Sequence, residues 1–130
     1  MRTLIVTAVG IALSGLGLAA QGHGDAAKGK TTFVERKCGV CHKTTKDDAT
    51  GGKMSTVLGD VVGKMSDADI REWLTDPAKM EKSLPKKPPM PMSSFVKTLN
   101  PPLSPAEISN LIAYLRTLPE TKGGVPPSRP

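Results

Sequence analysis

The chain has 130 residues, with 18 Lys and Arg against 12 Asp and Glu and a formal net charge of +6. That length makes one small domain, and its only large aromatic side chains, Phe33, Trp73, Phe95 and Tyr114, exclude a generous core built from protein alone. The basic balance comes without interleaved aromatic and basic residues, which excludes nucleic acid as an expected partner.

The first segment reads as a leader. Arg2 gives a short positive n-region, Leu4 to Ala20 is apolar apart from Thr7 and Ser14, and Gly17, Ala19, Ala20 and Gly22 are small. The pattern predicts a secretory signal peptide over residues 1–22, cut near Ala20 to Gly22, and hence a periplasmic or otherwise exported protein. The alternative is an uncleaved anchor, but the apolar run is slightly short for a span and is diluted by Gly10, Gly15 and Gly17. No stable membrane span is expected after cleavage. No cysteine precedes Cys38, which excludes a lipidated N-terminal cysteine.

Residues 23–118 carry the predicted domain. Asp25 is the N-cap of a first helix running through Ala26, Gly29, Phe33 and Lys37. Gly29 inside it costs about 1 kcal/mol relative to Ala, which predicts a packing reason: another helix crosses there. The helix leads into Cys38-Gly39-Val40-Cys41-His42, which holds the only two cysteines and one of the two histidines. C-x-x-C-H is the attachment signature of a c-type haem. Two thiols three apart on a helical turn reach the two vinyl groups of one porphyrin edge, and the adjacent imidazole reaches the iron from one side.

A dithiol redox pair and half of a zinc site are the alternatives. The first usually opens a helix in a thioredoxin-like βαβ unit, and the chain has no Val/Ile-rich parallel strands. The second wants four ligands, and only His23 remains to join Cys38, Cys41 and His42. A porphyrin also supplies the missing apolar mass, since burial is worth roughly 25 cal/mol per Å² of apolar surface.

Lys43 to Gly63 is rich in Thr, Asp and Gly and reads as irregular. Ser66 opens a second, short helix with Asp67 and Asp69 at its positive end; Met65 and Ile70 staple it, and Pro77 stops it after Trp73 and Leu74. Lys79, Lys82, Lys86 and Lys87 then crowd one stretch opposed only by Glu81, either a solvated charge run or a docking patch for an acidic protein. Pro85 to Pro102 carries six prolines and reads as a second irregular stretch. The last helix has a capping box in Ser104-Pro105-Ala106-Glu107, a staple from Leu103 to Ile108, and an apolar stripe at Ile108, Leu111, Ile112 and Leu115. Pro119 ends it, and residues 119–130, rich in Gly and Pro, are expected to form a disordered tail.

These features follow in an order that resembles the small mono-haem class I cytochromes c. A helix leads into C-x-x-C-H, then come Trp73-Leu74-Thr75-Asp76-Pro77, a Pro-flanked Met and the closing helix, over about Asp25 to Leu118. The resemblance implies an all-α, cytochrome c-like fold of three or more helices with long loops, wrapped around one haem c. That group would be bound covalently through Cys38 and Cys41, with His42 as axial ligand. It further implies a monomeric soluble electron carrier rather than an enzyme, served by a donor and an acceptor protein, for which the lysine stretch Lys79, Lys82, Lys86 and Lys87 predicts acidic docking surfaces.

Residue by residue, the resemblance implies that Gly29 and Tyr114 mark the crossing of the first and last helices and that Phe33 packs beside the haem. Trp73 would lie near a haem propionate and donate its indole N–H to it, an ordinary core Trp being the other reading. Many members have a Gly-Pro-x-Leu loop whose Pro carbonyl orients the axial His. The matching Met54-Ser55-Thr56-Val57-Leu58-Gly59 has no proline, which leaves the acceptor for His42 open.

Met/His ligation raises the potential of a c haem, and a methionine is expected as the second axial ligand. Met1 leaves with the leader, and Met54, Met65 and Met80 are expected to pack. Met90 is the expected ligand because Pro89 and Pro91 flank it in the family's pattern; Met92 is its rival, because Met92-x-x-Phe95 also has a family spacing. His23 is expected to be a mobile terminal residue rather than a ligand. Two other readings of the protein stay open: a haem protein whose free sixth site binds a small ligand, and a cytochrome subunit of a larger redox enzyme.

Overall fold

A computed structural model describes residues 23–48 and 57–120. The leader expected over residues 1–22, Met54 with most of its loop, and the tail from residue 121 onward lie outside the described residues. Six α-helices fall within them, α1 (Ala26–Glu35), α2 (Leu58–Val62), α3 (Asp67–Thr75), α4 (Pro77–Lys82), α5 (Met92–Val96) and α6 (Pro105–Leu115), with one 3-10 turn at Cys38–Val40. No strand occurs among the described residues; an isolated parallel bridge joins Lys43 to Val57. The expected all-α class is what forms.

The three expected helices are α1, α3 and α6, and their ends follow their caps. Asp25 Oδ1 accepts from the N–H of Ala27 at 2.9 Å and of Lys28 at 3.1 Å, which satisfies two of the unpaired donors that open any helix. Ser66 with Asp69 and Ser104 with Glu107 form reciprocal capping boxes. α1 ends two residues earlier than the sequence predicts, because Lys37 adopts a left-handed conformation (φ 57°) that no helix continues through.

Three further helices of five or six residues form, two of them inside the stretches that read as irregular. Pro77 does stop α3, yet it also opens α4 as its first residue, with Asp76 accepting from the N–H of Lys79 at 3.1 Å. α2 lies within the Thr/Asp/Gly-rich stretch and α5 within the proline-rich one. Helices this short do not hold in isolation, so each depends on what it packs against.

The core is Phe33, Val62, Ile70, Leu74, Ile108, Leu111, Ile112 and Leu115, centred on Leu111, which is 1% exposed. Met65 and Leu103, the outer halves of the two expected staples, pack against it. α1 crosses α6 at Gly29, where a Cβ would overlap the carbonyl of Asn110 and come within 2.7 Å of Tyr114 Cβ. The crossing sequence reasoning inferred from Gly29 is therefore present, and it is backbone against backbone.

Two arginines fix the frame. Arg36 Nε and Nη2 donate to Glu107 Oε1 at 2.9 and 2.6 Å, and its Nη1 donates to the carbonyl of Pro101 at 3.0 Å. At the far end of α6, Arg116 donates to the carbonyls of Val62 and Met65 and to Asp67 Oδ1, tying the corner between α2 and α3 to α6.

Candidate functional site

The motif begins where α1 ends. After the left-handed Lys37 the chain winds one tight turn, with Val40 N–H donating to Lys37 O at 3.1 Å and the N–H groups of Cys41 and His42 both donating to Cys38 O, at 3.2 and 3.0 Å. The turn brings both thiols and the imidazole into one short stretch. Both thiols are free and half-buried, and Cys38 packs against the core. Burial pushes the Cys38 thiol up, opposed by a backbone hydrogen bond and the nearby Arg36 guanidinium and reinforced by Cys41.

Burial alone lowers the pKa of His42, so its imidazole is neutral at neutral pH and keeps a ring-nitrogen lone pair. That is the form in which histidine binds a metal. The segment after the motif is held in turn, because Leu58 N–H donates to Lys43 O at 2.8 Å. The start of α2 thereby sits beside the residue following His42.

The donor set decides between the three readings of the motif. Among the described residues no group of three or more His, Cys, Asp or Glu gathers in a way that holds a metal ion, and the undescribed segments contain none of those residue types. A zinc site therefore lacks its ligands. With no strand among the described residues, the βαβ setting of a dithiol redox helix is missing as well. Two adjacent thiols with one neutral imidazole fit a c-type haem.

The remaining candidates fall into two groups. Phe33 is buried and its ring meets that of Tyr114 with centroids 5.6 Å apart at 60°, an edge-inclined pair next to the Gly29 crossing. Trp73 is half-buried on α3. On the proline-rich segment, Met90 is 66% exposed, whereas Met92, the first residue of α5, packs against the same core cluster as Cys38. Met65 packs on the core as expected, and His23 is exposed.

Lys79 pairs with Glu72, which takes it out of the free lysine run. Beside the motif, Val34 and Val40 stand 68% and 66% exposed at the rim of a cavity of about 370 Å³, floored by Phe33 and Tyr114.

Sequence reasoning missed Arg36 and Glu81. Glu107 was legible as a cap, but not as the partner of a guanidinium two residues before Cys38. Glu81 read only as the one acid among lysines, yet it binds Ser93 on another helix. Neither pairing leaves a local signal.

A small helical domain in which one turn presents two thiols and a neutral imidazole defines a haem-bearing class of protein. The chain belongs to the cytochrome c family, whose model, described as Cytochrome c, matches residues 26–119, well over half of the sequence. No curated protein and no solved structure matches it. Membership carries haem-based electron transfer as the general function and haem c as the implied cofactor. No helix among the described residues is long and apolar enough to cross a membrane.

Proposed function

We propose that this protein is an exported, monomeric electron carrier in which Cys38 and Cys41 hold a single haem c covalently and His42 and a methionine supply the two axial ligands. The observation that carries the reading is the turn itself: two free thiols and a half-buried imidazole within five residues. Bound there, the haem supplies one-electron Fe(II)/Fe(III) cycling. His42 offers its lone pair without first shedding a proton. The crossing of α1 on α6 and the Arg36–Glu107 pair keep the turn from moving, so a change of charge meets a rigid site. Val40, between the thiols and exposed, puts the edge of that site at the surface.

Met90 is the sixth ligand that its flanking prolines suggest, and a second reading, Met92, is favoured by one observation. Met92 packs against the core together with Cys38 while Met90 points to solvent. Under the Met92 reading, Met92→Ala loses the far-red iron–sulfur absorption band and Met90→Ala keeps it; the opposite pattern returns the role to Met90.

Were His42 and a methionine both to ligate the iron, no coordination position would be left for a substrate, as a carrier rather than an enzyme requires. Carbon monoxide binding to the reduced protein at neutral pH would instead indicate an open sixth position. The partners proposed are acidic redox proteins, met by Lys82, Lys86 and Lys87, all exposed. Reduction by the donor then slows as salt rises, and a rate indifferent to ionic strength removes the patch from the account.

The decisive experiment is a visible spectrum of the purified protein in both oxidation states, followed by denaturation in acidified acetone. A colour that stays with the chain supports covalent attachment. A colourless protein, or haem released by the solvent, ends the reading.

A further inference from the structure

α5 has an incomplete cap of its own. Its N-cap is Pro91, whose side chain makes no hydrogen bond, while the first N–H groups of any helix need acceptors. The acceptor comes from α4. Glu81 Oε1 accepts from the backbone N–H of Ser93 at 2.9 Å, and Oε2 accepts from the Ser93 hydroxyl at 2.6 Å. Both bonds are of the strong, charge-assisted kind when the carboxylate is ionised.

The contact closes a loop. Residues 82–92 run between the two partners and include Pro85, Pro88, Pro89 and Pro91. Met92 directly precedes the tethered serine. We propose that Glu81 is a positioning residue: through Ser93 it clamps Met92 and so sets how firmly the axial methionine holds its place. This rests on the carrier reading above in its Met92 form, in which Met92 rather than Met90 is the ligand.

The physical reason is loss of alternatives. Each proline fixes its own φ, and a loop tied at both ends has few ways to open. Met92 then has little freedom to swing out and admit a competitor. Releasing the clamp populates the open form, and the apparent affinity of a competing ligand rises in proportion to that population.

Imidazole, added to the full-length ferric haem protein, reads that population. Glu81→Ala is expected to raise apparent imidazole affinity about tenfold, the effect of losing hydrogen bonds to one charged group, and to speed hydrogen exchange at the Ser93 amide followed by NMR. Ser93→Ala keeps the amide donor and loses the hydroxyl, so its rise is smaller. Glu72→Ala removes an equal charge, one that pairs with Lys79 of α4 and not with α5, and is expected to move neither readout.

Wild-type imidazole affinity in Glu81→Ala, unchanged Ser93 exchange, or an equal rise in Glu72→Ala overturns the proposal. If Glu81→Ala does not fold, Ser93→Ala decides on the same readouts. Failure of the underlying reading looks different. The wild type then lacks the far-red band, or Met92→Ala keeps it, and the proposal falls with it.

Discussion

Gly29→Ala sets two physical effects against each other with opposite signs. Inside an isolated helix the change is favourable by about 1 kcal/mol, because Ala is the better helix former. At this position the new methyl meets the Asn110 carbonyl and lies 2.7 Å from Tyr114 Cβ. Neither atom belongs to a flexible side-chain end, so α1 and α6 must separate. Overpacking of this kind costs about 1–3 kcal/mol. The separation also loosens the Phe33–Tyr114 ring pair, worth about 0.5–1.5 kcal/mol. The balance is a loss of about 2 kcal/mol, which in a domain of this size lowers Tm by roughly 10 °C. Guanidinium unfolding of the haem-loaded protein, followed by circular dichroism, measures it. A variant as stable as the wild type, or more stable, would refute the close crossing and leave helix propensity in charge.

The Arg36–Glu107 pair predicts an acid limb. Hydrogen bonds from Ser104 and then Arg36 hold the Glu107 carboxyl down at about 2, below its ordinary 4.5. Its folded value being the lower one, the stability it adds is present above the unfolded pKa and is lost as pH falls through the window from about 4.5 to about 2. The carboxylate is a quarter exposed, so solvent screening leaves about 1 kcal/mol. Unfolding titrations on either side of that window are expected to show Glu107→Gln without this increment. Arg116→Ala is expected to cost about 1–2 kcal/mol by freeing the α2–α3 corner. Arg116→Lys should recover less than half, because one ammonium cannot span the Val62, Met65 and Asp67 acceptors; full rescue by Lys would mean that charge alone matters there.

The legible part of the fold is the part with local causes. Asp25, Ser66 and Ser104 cap the helices that follow them because a cap is satisfied within three residues of itself. The stripe of α6 marks its buried face because helical period is a property of the segment. The haem motif is legible for the same reason: both thiols and the imidazole lie within five residues, so their spacing alone states the chemistry. Gly29 is an intermediate case, since its cost in a helix signals a crossing that the sequence cannot locate on the partner.

The tertiary structure decided what depends on residues far apart in the chain. α2, α4 and α5 are too short to persist from their own hydrogen bonds, and they form where the core and caps such as Asp76 and Glu81 hold them. Arg36 finds Glu107 across 71 residues and Arg116 finds Asp67 across 49, pairings that no pattern of neighbours encodes. The same distinction separates the two methionines. Flanking prolines are local and pointed to Met90, whereas packing on the core cluster that Cys38 also meets and tethering through Ser93 are long-range and favour Met92. Local chemistry fixes which groups the chain offers; only burial and contact across the fold determine which of them meet.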